Sequence, residues 1–196
     1  MSHDQEIETL LTEARACRVC AIHLPHEPRP IVQAGPTARL VIIGQAPGRR
    51  VHESGIPWAD PSGDRLRGWL GIEASTFYDP SMVALIPMGF CYPGSKASGD
   101  LPPRPECAPL WHDRLLGALP TDRLTVLIGT YAIARYVGRR ETLTHTVAGW
   151  REFLPDRMVL PHPSPRNQSW LAKNQWFESD AIPAMRERVT EVLAGG

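Results

Sequence analysis

A chain of 196 residues suits a single domain, read here as 1–196, with a core large enough to need no disulfide staples. Charged residues make up 21%, with Lys+Arg and Asp+Glu equal at 21 each, which excludes a disordered charged tail and a highly basic nucleic-acid coat. No apolar run reaches the about 20 residues of a transmembrane helix, and the acidic start (Asp4, Glu6, Glu8) has no secretory apolar region. A monomer in the cytoplasm with no membrane partner is expected.

Asp4 to Ala16 carries Ile7, Leu10, Leu11 and Ala14 at helical spacing, which predicts an amphipathic helix. Cys17 and Cys20 follow it at once. Arg39 to Gly44 is a short apolar run closed by glycine, the pattern of a buried strand, and Met82–Ile86, Leu124–Gly129 and Arg157–Leu160 repeat it. Helices are predicted over about Ser62–Leu70, Ala108–Leu119 and Thr130–Val137, with a last one over about Glu178–Leu193. This alternation predicts an α/β fold, a parallel sheet covered on both faces. In such sheets the site lies outside the carboxyl ends of the strands, which puts the loops at Gly44, Pro87, Gly129 and Pro161 in view. Twenty prolines in 196 residues, about twice the usual share of about 5%, predict that such loops are long and shaped.

The loop Gly44-Gln-Ala-Pro-Gly48 can bring backbone N–H groups close to a ligand, but it is neither a dinucleotide fingerprint nor a P-loop. Downstream, Trp58 is either core or an aromatic wall of the kind that holds a flipped base. Asp60 and Ser62 both precede a predicted helix, and Ser62 is read as its cap. His162-Pro-Ser-Pro-Arg-Asn-Gln168 follows the last strand as a stiff extended loop, where the histidine is structural or catalytic. The four cysteines form Cys17-x2-Cys20 and a wide pair, Cys91 and Cys107, with 15 residues between. Buried thiols, a zinc site and an iron–sulfur site all stay open on spacing alone.

Taken in order, Gly44–Gly48, Gly55-x-Pro-Trp58, Ser62-Gly63, His162-Pro-Ser-Pro and the cysteine layout resemble the uracil-DNA glycosylase superfamily, specifically its iron–sulfur branch (the family 4 type, with a family 5 feature). The resemblance spans about Cys17 to Asn174. It implies a three-layer α/β/α sandwich around a four-stranded parallel sheet, and a [4Fe–4S] cluster on Cys17, Cys20, Cys91 and Cys107. It implies hydrolysis of the base–deoxyribose bond in DNA, single-stranded or damaged duplex, as part of base excision repair. Carried over residue by residue, His162 donates to the departing base, Gln45 helps place water, and Trp58 stacks on the base beside Gly44 and Ala46. Ser164, Pro165, Arg166 and Asn167 fall where the DNA backbone is pressed and the vacated stack filled, and Arg49 follows the first loop as a phosphate contact. Two departures stand out. Ala46 falls where the best-known branch has its general-base Asp, leaving Asp60 as the first substitute and Glu53 as the second. Pro87 falls where the branch has a base-reading Asn. These departures motivate an alternative, a non-catalytic iron–sulfur protein that binds damaged or single-stranded DNA. A third reading is a nucleotide-binding α/β protein using Gly44–Gly48 as a phosphate nest.

Overall fold

The computed structural model describes residues 3–97, 99–138 and 142–195. In chain order the principal elements are α1 (His3–Arg15), β1 (Leu40–Ile43), α2 (Arg49–Ser54), α3 (Pro61–Leu70), α4 (Ala74–Phe77), β2 (Val83–Leu85), β3 (Ser95–Lys96) and β4 (Gly99–Asp100). They continue with α5 (Cys107–Gly117), β5 (Leu124–Ile128), α6 (Gly129–Tyr136), α7 (Leu143–Ala148), β6 (Arg157–Leu160), α8 (Gln168–Lys173) and α9 (Ile182–Ala194). No helix among the described residues is long and apolar enough to cross a membrane.

Four strands form one parallel sheet in the order β2-β1-β5-β6. Register is set by Leu40 beside Val83 and Leu124, and by Val126 beside Met158. The central strands are apolar on both faces because helices flank the sheet; all four residues of β1 are fully buried. Helix α9 packs against β1, β5 and α3, while α1 packs on α5. The expected fold class holds, a four-stranded parallel sheet flanked by helices.

Strand β2 lies at an edge, and its hydrogen-bonding side is covered. Gln33 makes an antiparallel bridge with Leu85 and donates from Nε2 to the carbonyls of Phe77 and Val83, at 3.2 and 2.9 Å. That cover removes an open edge that could pair with another chain. The chain runs from β1 outward to β2, then returns to place β5 on the other side of β1. The order therefore reverses between β1 and β5, and a parallel sheet opens a crevice at such a point. The loop at Gly44–Gly48 leaves the sheet there.

Candidate active site

The first loop is fixed by the second. Met88 N–H donates to Gly44 O and Gly89 N–H to Gln45 O, both at 2.9 Å, so the chain after β2 is stitched to the chain after β1. Gln45 then lays its side-chain amide on Gly129, where an added Cβ would stand 2.8 Å from Nε2. Trp58 sits on this platform in the left-handed backbone region, at φ 57°. Two glycines make room for it. A Cβ on Gly44 would lie 2.6 Å from Trp58 Cζ2, and one on Gly63 only 1.8 Å from the Trp58 carbonyl oxygen. A bulky residue at positive φ stores strain that its surroundings must over-determine, and such residues cluster at ligand sites.

Asp60, not Ser62, caps α3: its Oδ1 accepts from Gly63 N at 2.9 Å, with Pro61 at the first helical position. Proline suits that position because its missing N–H would be orphaned there anyway. Ser62, expected as the cap, is instead a buried residue inside the first turn and lines the crevice.

His162 arrives from the end of β6 with its ring oriented by its own loop. Ser164 N–H donates to Nδ1 at 3.2 Å, and the Asn167 side-chain amide holds the His162 carbonyl at 2.7 Å. With Nδ1 accepting, the ring proton of the neutral imidazole belongs on Nε2. Burial pushes the His162 pKa below the usual histidine value, against an opposing pull from Asp60 and Asp100. At neutral pH the ring is a neutral donor. It lies near Trp58 with ring centroids 5.9 Å apart and planes inclined by 28°.

Gly44, Gln45, Ala46, Trp58, Asp60, His162, Ser164 and Arg166 all line a single crevice of about 230 Å³. Three residues expected at the DNA surface stand apart from it. Pro165 starts a short turn that Ser164 caps, Asn167 is engaged on the His162 carbonyl, and Arg49 opens α2 beside an adjoining shallow depression. Glu53 is exposed on α2 and is not part of the crevice lining. The crevice also holds Asp100, from β4, which the sequence reading did not single out.

Pro87 forms a wall here with no donor to offer. The N–H groups of Ile86, Met88, Gly89 and Phe90 are committed to Ile42 O, Gly44 O, Gln45 O and the Cys107 sulfur. The Pro87 carbonyl accepts from His112 Nε2 at 2.9 Å, and His112 Nδ1 pairs with the Tyr136 hydroxyl at 2.5 Å. Burial drives the His112 pKa down to about 4, so this fully buried ring is neutral. Base reading through backbone N–H groups on this wall finds none available among the described residues.

The cysteines meet elsewhere. Cys17, Cys20, Cys91 and Cys107 are free thiols that line one mainly apolar cavity beside Phe90 and Trp111. Phe90 N–H donates to the Cys107 sulfur at 3.3 Å, and Arg29 N–H donates to that of Cys91. Burial raises the Cys91 thiol to about 11 and that of Cys107 to about 12. Among the described residues, no three His, Cys, Asp or Glu side chains are arranged to hold a single metal ion.

The model of the uracil DNA glycosylase superfamily matches residues 32–186, most of the chain. The chain belongs to that superfamily. Members of that superfamily are typically DNA-repair glycosylases, hydrolases that act on DNA. The superfamily match runs from just before β1 into α9 and takes in both crevice loops and two of the cysteines, Cys91 and Cys107. Cys17 and Cys20 lie before it.

Proposed function

We propose that this chain hydrolyses the N-glycosidic bond of uracil or another deaminated base in single-stranded or damaged DNA, as a monofunctional glycosylase. The observation that carries the reading is the meeting of Gln45, Trp58 and His162 in one crevice, with the His162 ring turned so that Nε2 is its donor. Breaking the C1′–N bond sends an electron pair onto the base. A fixed donor aimed at that charge needs no reorganisation at the moment of reaction, and such donors are often the largest single catalytic contribution. Keeping His162 neutral lets it donate without transferring its proton. Trp58 supplies an aromatic face for a base taken out of the stack, and extrusion costs least for mispaired or unpaired bases.

The committed wall at Pro87 offers the base edge no donor, and we assign its reading to Gln45 and His162. Sites that read by hydrogen bonds discriminate far better than apolar ones. With few readers here, more than one deaminated base is expected as substrate.

Cys17, Cys20, Cys91 and Cys107 would hold a [4Fe–4S] cluster. Four free thiols lining one cavity, two of them receiving backbone N–H groups, suit a thiolate-bound group, and four thiolates are the ligand set of such a cluster. Such a cluster would tie residues 17–20 to the loop 91–107.

Ala46 supports the second reading, a non-catalytic DNA-binding protein, because it leaves the first loop without a base. One assay separates the two. Single-turnover incubation with oligonucleotides holding uracil, hypoxanthine or xanthine is expected to release free base and leave an abasic site. Protein with full iron content that binds these oligonucleotides and releases no base contradicts the glycosylase reading.

A further inference from the structure

The loop between Cys91 and Cys107 does more than carry thiols. Its middle folds into the hairpin β3–β4, with Ser95 paired to Asp100 and Lys96 to Gly99. The hairpin borders the crevice through Asp100 and touches both of its loops. Asp100 Oδ2 lies against Gly48, 3.4 Å from where a Cβ there would stand. Gly99, at φ 127°, takes the Arg166 guanidinium so closely that a Cβ would fall 2.6 Å from Nη1. A Cβ at Gly48 would touch the Asp100 carboxylate, and one at Gly99 would displace the Arg166 guanidinium.

We infer that Asp100 is the general base of the glycosylase reaction, delivered into the crevice by this hairpin. The inference rests on the glycosylase reading above. Asp100 and Asp60 are the two carboxylates that line the crevice, and both act electrostatically on His162. Asp60 spends Oδ1 on the cap of α3, which pins its carboxylate at the helix start and leaves only Oδ2 for a water. Asp100 is exposed and makes no hydrogen bond or ion pair with another side chain among the described residues. Its carboxylate is therefore available to a water at the mouth of the crevice. Ala46 cannot take a proton, and Gln45 can orient a water but not deprotonate one.

The step balances without a further reactant. A water passes a proton to the Asp100 carboxylate as its oxygen bonds to C1′. The C1′–N bond breaks, and its electron pair leaves on the base, which His162 holds through Nε2–H. Solvent then protonates the free base anion and removes the proton from Asp100, leaving a sugar hydroxyl at C1′.

The test compares single-turnover excision and DNA affinity in the full-length wild-type protein, Asp100→Asn and Asp100→Ala. A general base contributes about 10²–10⁴ in rate. Asp100→Asn is expected to lose about that factor while its Kd for the same oligonucleotide stays within about threefold. Added formate, a diffusible carboxylate, is expected to restore part of the rate to Asp100→Ala and none to His162→Ala. A purely structural role for the hairpin would not respond to formate. Active wild-type protein with an Asp100→Asn rate within about threefold of it overturns the assignment and leaves the glycosylase reading standing. Wild-type protein that excises no base overturns both.

Discussion

The crevice and the cysteine cavity share one segment of chain, yet they are held open in different ways. Leu85, Pro87 and Asp100 face the crevice, while Gly89, Phe90, Cys91 and Cys107 face the cavity. The crevice is polar, and its main residues leave the ends of β1 and β6 or start α3, so the sheet itself fixes them. The cavity is apolar except for its sulfurs and a flank of Arg104 and Glu106, and its thiols come from the turn after α1, a long loop and the first residue of α5. The contrast teaches that the crevice residues are positioned by the sheet and by close backbone packing, whereas the thiols are gathered by loops around a mainly apolar space. Between them stands His112, which bonds to Pro87 on one side and stacks on Phe90 on the other, at a centroid distance of 6.0 Å.

The largest expected effect breaks the crevice alone. His162→Ala should slow excision about 10²- to 10³-fold, the range for losing one fixed donor to developing charge. Iron content should not change. A parallel fall in iron would show that the two concavities are one mechanical unit.

Acid should attack the partition between them. The His112 pKa is about 4 in the fold against an ordinary 6.5, with burial as the main cause. Between those values the unfolded chain binds a proton that the folded chain refuses, so stability falls as pH drops through this window and levels off below it. The full loss is about 3 kcal/mol at most, and burial of His162 adds in the same direction. Denaturant titrations from pH 7 to 4 should show this slope, and His112→Phe should flatten it.

Smaller effects sharpen the crevice side. Gly63→Ala forces a methyl into the Trp58 carbonyl, and overpacking of this kind typically costs about 1–3 kcal/mol. Thermal melting should register it, together with lost excision as Trp58 moves. The smallest effect belongs to Arg49, exposed at the start of α2. Arg49→Ala should weaken DNA binding evenly across sequences and reduce the salt slope by about 1. An unchanged slope would remove this phosphate contact.

The strands were legible because each is a short apolar run closed by Gly or Pro, and β6 fell on Arg157–Leu160 as expected. The helices α2, α4, α7 and α8 were not, because runs of four to six residues are too short to show a periodic face. Much of the crevice could be read in contiguous strings, Gly44–Gly48 and His162–Arg166, whose residues stay neighbours after folding. Asp100 was hidden for the opposite reason. Its position depends on a hairpin of two-residue strands in a proline-rich loop, docked by contacts to Gly48 and Arg166 that lie far away in sequence. At the start of α3, Asp60 and Ser62 were both fit to cap, and Pro61 at the first helical position decides for Asp60. Asn167 looked like a DNA contact from its place in a loop, but its amide is engaged in holding His162.

The most direct test of the central claim is a crystal structure of the protein with DNA carrying a 2′-fluoro-2′-deoxyuridine, whose glycosidic bond resists cleavage. The base should be found outside the helix stack, against Trp58, with His162 Nε2 within hydrogen-bond distance of a base oxygen. A uracil still stacked in the DNA, or bound away from Gln45, Trp58 and His162, would contradict the account.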